Sequence, residues 1–317
     1  MSTNRWDTLR RFDVIILATI FIALAWILTV HRTTDFIIFC IFVLAYDLLY
    51  GYMGRLSFGH MLYFGVGAYA AALTPEYVSG NPFAALALAL AAGALVGVLL
   101  GPIIVRTTGA CFALINLAFN QVGYFLVLIA FAAYTGGEDG KAAFFDKVWF
   151  LDFGNRTVVF VTALVSLLLV SYFLGSLTNS PFGILLRTIK ENELRARFLG
   201  YDTYRYKLLA FTISTSLSAF AGWLSILNYT YATPSFIDPH RNVEVIFASL
   251  IGGAGSIYGA IAGGIAYMAI SNYLPNYIQR WEMFLGMTLL LLVFKFQTGI
   301  WGFVSSLFNM PRTEEKS

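Results

Sequence analysis

Apolar residues along this chain come in long unbroken runs, not in the alternation of a half-buried strand. A bilayer core of about 30 Å asks for roughly 20 such residues in a helix rising about 1.5 Å per residue. Runs of this kind lie at roughly 13–31, 35–53, 56–74, 83–105, 109–134, 156–175, 208–231, 243–254, 256–273 and 282–303. The eighth is too short to cross alone. It predicts a tilted or broken helix, or one that enters from a protein-lined vestibule. The pattern therefore predicts an all-α integral membrane protein of about ten transmembrane helices, with nine crossings as the alternative if 243–254 is re-entrant. Ten spans divide five plus five, the arithmetic of an inverted repeat. Each half has a glycine-rich segment, 51–67 and 252–264, and residues 1–317 read as a single transmembrane domain.

Composition agrees, with 59% hydrophobic and 12% charged residues. Lipid admits only helices and closed barrels, and runs without alternation exclude a barrel. Arg5, Arg10 and Arg11 precede the first run as in a signal peptide, but that run is long and ends without a small-residue cleavage site, so a retained span is expected. Cys40 and Cys111 both sit in apolar runs and suggest no disulfide framework.

Charge changes the picture in one place. The stretch 187–207, "RTIKENELRARFLGYDTYRYK", holds nine of the chain's 37 charged side chains, and its six Lys/Arg and three Asp/Glu equal the net charge of +3. Nine charges in lipid would cost on the order of 25 kcal/mol on insertion scales. The stretch must lie outside the membrane. Ser180 and Pro181 offer a helix start and Gly200 a helix end, while Leu185, Ile189, Leu194 and Phe198 give an apolar edge. Mixed charge suits a protein groove better than anionic lipid, which would select basic residues without Glu191 and Glu193. A merely solvated loop is the competing reading. Arg5, Arg10, Arg11, Arg55, Arg106 and this cluster fall on one side, and loops 135–155 and 232–242 on the other. The excess of Lys and Arg inside then places the N-terminus, and with ten crossings the C-terminus, in the cytoplasm.

Gly93, Gly97 and Gly101 recur every fourth residue, as do Gly259 and Gly263, which flattens a face of each helix for close packing within the chain or against a second membrane subunit.

Candidate chemistry is sparse. The chain has no G-x-x-x-x-G-K-[ST], no H-E-x-x-H and no G-x-S-x-G, and His31, His60 and His240 are too dispersed for a metal cluster. A membrane-embedded enzyme therefore has no convergent nucleophile, base or metal set. Polar residues inside spans are the better candidates. Asp47 either lines a path, anchors the broken segment after it, or pairs with Arg55 or a backbone amide. Asn116 and Asn120, one turn apart with Gln121 beside them, either meet a passing polar solute or bridge helices. The segment 51–73, with Ser57, Phe58, Gly59 and His60, predicts a kinked or unwound start to the third span. His60 is either a proton relay or a neutral hydrogen-bonding residue.

Five motifs in order carry a resemblance: "GYMGRLSFGHMLYFGVGAYAAAL" (51–73), "TGACFALINLAFNQV" (108–122), "TGGEDG" (135–140), "SPFGILLRTIKENELRARFLGYDTYRYKLLAF" (180–211) and "IGGAGSIYGAIAGG" (251–264). From the second span onward the chain resembles the membrane permease subunits of bacterial branched-chain amino acid ABC importers, of the LivM type. The resemblance implies a type II importer fold and a cytoplasmic coupling loop, here within 180–205, that seats on an ATPase. Arg187, Glu191, Asn192, Glu193, Arg195, Ala196, Leu199 and Gly200 occupy that segment. It also implies a second homologous permease, two ATPase subunits that bind the ATP and Mg, a periplasmic binding protein and the bacterial inner membrane. This chain would hold no cofactor, do no catalysis and bind no nucleic acid. A translocation path would draw on Asp47, Ser57, Phe58, Gly59, His60, Asn116, Asn120 and Gln121. Arg55, Met61, Leu62 and the pair Asn120-Gln121 depart from the commonest family pattern and leave the solute open among leucine, isoleucine and valine, urea, short amides and aromatic acids. The alternative from another class is an ion-coupled carrier using Asp47 and His60.

Overall fold

The computed structural model describes residues 17–149 and 151–278 and scattered positions from 280 to 302. The last expected span, 282–303, falls mostly outside the described residues, and Arg5, Arg10 and Arg11 lie outside them. A short apolar helix, α1 (Leu17–Ile27), leads into α2 (Val30–Asp47), which widens into a π turn at Leu48–Tyr52. Next come α3 (His60–Tyr77), α4 (Pro82–Ile104) and α5 (Ala110–Phe125), the last also continued by a π turn, Leu126–Ala130. A four-residue α6 (Ala132–Thr135) precedes α7 (Arg156–Thr178). The second part holds α8 (Pro181–Phe198), α9 (Thr203–Tyr229), α10 (Asn242–Gly252) and α11 (Ile257–Tyr273).

Among the described residues, five helices are long and apolar enough to cross a membrane: α2 with its π turn, α4, α5 with its π turn, α7 and α9. Their burial runs opposite to that of an aqueous protein. The most apolar, α4 at mean hydropathy 2.5, is only 22% buried, whereas α9, the least apolar at 1.4, is 67% buried. Lipid makes no demand for apolar surface to be hidden, so the oiliest helices face outward and polar residues collect inside. Ser214, Thr215, Ser218 and Ser225 of α9 are all buried.

Helix α9 is the spine, packed along α3, α4 and α2. The contact is backbone to backbone. A Cβ on Gly67 of α3 would lie 2.1 Å from the Ala219 carbonyl oxygen, and one on Gly222 of α9 would lie 2.1 Å from that of Phe64. The Gly93, Gly97 and Gly101 face of α4 lies on α9, against Ala219, Thr215 and Leu208, and Gly259 and Gly263 of α11 abut the C-terminal turns of α10 and the break after it. Close approach of this kind maximises dispersion where water offers no drive.

Two strands, β1 (Lys141–Ala142) and β2 (Tyr231–Ala232), pair antiparallel with Lys141 opposite Ala232. They tie the loop before α7 to the loop after α9 and mark one end of the bundle. Arg55, Arg106 and α8 gather at the other end, where Arg55 reaches Glu193 and the Arg106 guanidinium lies 5.5 Å from the Tyr204 ring centroid.

Candidate functional site

Two polar regions stand out, one inside the bundle and one at the α8 end. Inside, His60 opens α3. Its Nε2 lies 2.9 Å from Ser214 Oγ, and that hydroxyl donates to the Ala45 carbonyl at 2.5 Å. The Ser214 proton is thereby committed, so Nε2–H of His60 donates to Ser214 and the neutral ring accepts at Nδ1 from Ser57 Oγ, 3.0 Å away. One imidazole therefore joins α3, α9 and α2. Asn116 donates to the Phe112 carbonyl at 2.9 Å and accepts from the Tyr63 hydroxyl at 2.8 Å. Asn120 donates to the Ile237 carbonyl at 2.7 Å and accepts from Asn242 Nδ2 at 2.5 Å, and Asn242 in turn accepts from the Met61 N–H at 2.9 Å. Gly59 lies against the Asn116 backbone, where a Cβ would come within 2.2 Å of its oxygen.

Asp47, the last residue of α2, is buried as well. Its carboxylate accepts from the Gly255 N–H at 3.0 and 3.1 Å and from Ser249 Oγ at 3.0 Å, which fastens α2 to the break between α10 and α11. The partner is a backbone amide, not Arg55. Of the residues expected along a path, Asp47, Ser57, Gly59, His60, Asn116 and Asn120 are thus buried against other elements of this chain, Phe58 is half-buried, and Gln121 is exposed on the outer face of α5. Sequence reasoning missed Tyr63, Ser214, Asn242 and Ser249, whose types carry no signal without their partners.

At the opposite end, α8 was expected as one helix with a continuous apolar edge. It is instead two helical pieces meeting at Asn192, whose backbone is extended (φ −155°, ψ 98°) and whose Oδ1 accepts from the Arg195 N–H at 3.0 Å. Asn192 thus caps the second piece. The expected single edge is absent, since at about 100° per residue Leu194 already falls on the far side of the helix from Leu185. Leu185 and Ile189 pack inward with Ala196 and Tyr206, while Leu194 and Phe198 turn outward and are 63% and 89% exposed. Leu199 and Tyr201 extend that outward patch, and Gly200 ends the helix at φ +89°. Glu191 and Arg195 are exposed, whereas the Arg187 guanidinium lies inward, 5.3 Å from the Tyr52 ring centroid.

Glu193 does not face outward with them. Its Oε1 accepts from Lys207 Nζ at 2.7 Å and Arg197 Nη2 at 2.5 Å, and its Oε2 from Arg55 Nη2 at 2.7 Å. Thr203 Oγ1 adds a bond at 3.3 Å. Burial alone would raise this carboxyl, but Lys207 and Arg197 outweigh it and hold it below the usual value of 4.5. One carboxylate therefore pins the loop 53–59, α8 and the first turn of α9 together. Arg55 and Lys207, 138 and 14 residues away from it, could not have been paired with it from sequence. A cavity of about 390 Å³ opens beside the hub, between Gly54 and Arg55 on one side and Lys190, Glu191 and Leu194 on the other.

A helix lying outside a membrane bundle, bolted to it by a half-buried carboxylate and showing apolar residues outward, is the geometry of a docking element. Over residues 28–294 the chain matches the family described as "Branched-chain amino acid transport system / permease component". The chain belongs to that permease family. Among curated relatives, this permease is similar to the high-affinity branched-chain amino acid transport system permease protein LivM of Salmonella typhimurium, at 26% identity over 88% of this chain and 73% of the relative. The LivM of Escherichia coli is 25% identical over the same shares. The LivH permease of Salmonella typhimurium is 24% identical over 83% of this chain and 91% of its own length. No solved structure matches the permease. The permease is thus a multi-pass, predominantly helical membrane protein of a family whose members include LivM and LivH types.

Proposed function

We propose that this permease is one of two paired membrane subunits of an ATP-driven importer for branched-chain amino acids or related small solutes. A binding protein delivers the solute at the end marked by the β1–β2 pair, and two ATPase subunits, which hold the ATP and Mg, act on the α8 end. The membrane is the bacterial inner membrane, with α8 and the N-terminus in the cytoplasm. The observation that carries this reading is the second piece of α8. Leu194, Phe198, Leu199 and Tyr201 are exposed on an element that cannot enter lipid, because nine charges accompany them in 187–207. Such a patch on a rigid mount fits a protein groove. The names of the LivM and LivH relatives support the solute class and the paired permease.

Copurification from membranes tests it, with wild type beside Phe198→Asp. Phe198 is almost fully exposed, so its replacement leaves the fold alone. Wild type is expected to bring down an ATPase whose hydrolysis rises with loaded binding protein, and the variant to lose it. Transport that persists without any ATPase, and collapses with a proton ionophore, would instead favour an ion-coupled carrier. That alternative is weakened by His60 and Asp47 already being bonded within the chain. Uptake of labelled leucine, isoleucine and valine against urea, amides and aromatic acids sorts the solutes.

A further inference from the structure

Helix α2 does not end as an α-helix. After Asp47 it widens into the π turn Leu48–Tyr52, and the following loop turns back through Gly54 at φ +71°. Single π turns within helices are frequent at functional sites and are among the places where helices kink.

This turn is held from both sides. From the α8 side, Lys190 Nζ donates to the Gly51 carbonyl at 2.8 Å, a cation on a helix C-terminus. The Lys190 stem lies over Gly54, where a Cβ would come within 2.7 Å of Lys190 Cγ. The Arg187 guanidinium sits on the ring of Tyr52, the last residue of the turn. From the other side, Asp47 immediately before the turn takes the Gly255 N–H and the Ser249 hydroxyl. Gly51 itself touches Gly255, since a Cβ on Gly51 would lie 2.3 Å from the Gly255 nitrogen. The segment reached in this way is the break 253–256 between α10 and α11, which contains two glycines at positive φ, Gly253 at +100° and Gly255 at +90°. Such backbone can change direction at little cost.

We propose that the π turn Leu48–Tyr52 relays the displacement of α8 to the α10–α11 break, with Lys190 and Asp47 as its two positioning residues. The proposal rests on the importer reading of α8 and adds the route by which motion there enters the bundle. Two polar contacts, one on Gly51 of the five-residue turn and one on Asp47 just before it, make a lever: pulling Lys190 draws the Gly51 carbonyl, and the Gly51–Gly255 contact with the Asp47 carboxylate moves the break. The Glu193 hub keeps α8 mounted while this happens, because its partners outside α8, Arg55, Thr203 and Lys207, lie on the loop 53–59 and α9 and not on the turn itself.

The test uses the assembled complex in membranes. Ala254, exposed in the break, is replaced as Ala254→Cys with Cys111→Ser removing the exposed native thiol, and the rate of maleimide labelling is read with and without ATP and Mg. The expected result is a nucleotide-dependent change in rate of about fivefold or more. Lys190→Met abolishes the change while ATP hydrolysis continues, Lys190→Arg restores it, and Asp47→Asn reduces it. A merely structural lysine would lower thermal stability without separating hydrolysis from labelling. A response that survives in Lys190→Met overturns the relay and leaves the importer reading standing, as does a complex that contains ATPase but shows no response. If wild type binds no ATPase, the importer reading falls and the relay with it.

Discussion

The two polar regions of this permease differ in what they leave unmet. Inside the bundle, His60, Asn116 and Asn120 spend their donors and acceptors on Ser57, Ser214, Tyr63, Ile237 and Asn242, all in the same chain. At the α8 end, the charges are likewise satisfied around Glu193, but the apolar side chains are not: Phe198 is 89% exposed and Leu199 67%. Each region closes what its surroundings make costly. In lipid an unbonded polar group is the expensive item to leave open, so these three side chains are bonded within the chain and tell little of a partner, while the buried Tyr69 hydroxyl is left without a hydrogen bond among the described residues. In water exposed hydrocarbon is the expensive item, so an open apolar patch points to another protein.

The comparison can be broken at several points. The largest effect is expected inside, from Gly222→Leu. Its Cβ would meet the Phe64 carbonyl, α3 and α9 would have to part, and a loss of at least about 4 kcal/mol follows, read as no folded protein by size exclusion. Next is Glu193→Arg, which gathers Arg55, Arg197, Lys207 and a new cation at one point. About 3 kcal/mol is lost locally, the low end for breaking a buried ion pair, and solute-stimulated ATP hydrolysis falls more than about tenfold. Asn120→Ala strands the Ile237 carbonyl and leaves the Asn242 Nδ2 only its bond to the Pro239 carbonyl, at a cost of about 1–3 kcal/mol, seen as a lower unfolding midpoint in detergent. Uptake per folded molecule is expected to stay within about twofold. If it falls further, the interior amides meet the solute and the contrast between the regions fails.

The smallest effect is of pH on the α8 mount. Glu193 has a lowered folded pKa, so its stabilisation is fully present above the ordinary value of 4.5 and is lost as pH falls through the lower folded value. A nitroxide at Leu194→Cys, with Cys111→Ser, should keep constant mobility from neutral pH down to that ordinary value and loosen only below it. Loosening already between neutral pH and 4.5 would mean that the carboxylate is not the bolt.

Much of the membrane architecture was legible because lipid imposes a length and a composition on every crossing helix. The runs at 83–105 and 156–175 correspond to α4 and α7 within a few residues, and the short run at 243–254 to the eleven-residue α10. The charged helix outside the bundle was legible for the same reason, as were its start at Pro181 and its end before Gly200. The kink at Asn192 was not. At about 100° per residue a straight helix already sets Leu194 and Phe198 roughly opposite Leu185 and Ile189, so a single apolar edge does not follow from the periodicity, and the extended backbone of Asn192 adds a break that no residue type announces.

By itself, then, the sequence determined that this chain is a bundle of membrane helices with one charged helix outside it, and the order of its motifs pointed to the permease family. Those properties are local, fixed by the free energy of placing each residue in lipid or water. Which groups bond to one another was decided only by tertiary structure. Glu193 meets Arg55 and Lys207, Lys190 meets the Gly51 carbonyl, and Asp47 meets Gly255 across 208 residues of chain. A hydrogen bond or ion pair depends on separations of about 3 Å, and at two of these contacts they rest on close approach at a glycine, Gly51 against Gly255 and Gly54 under the Lys190 stem.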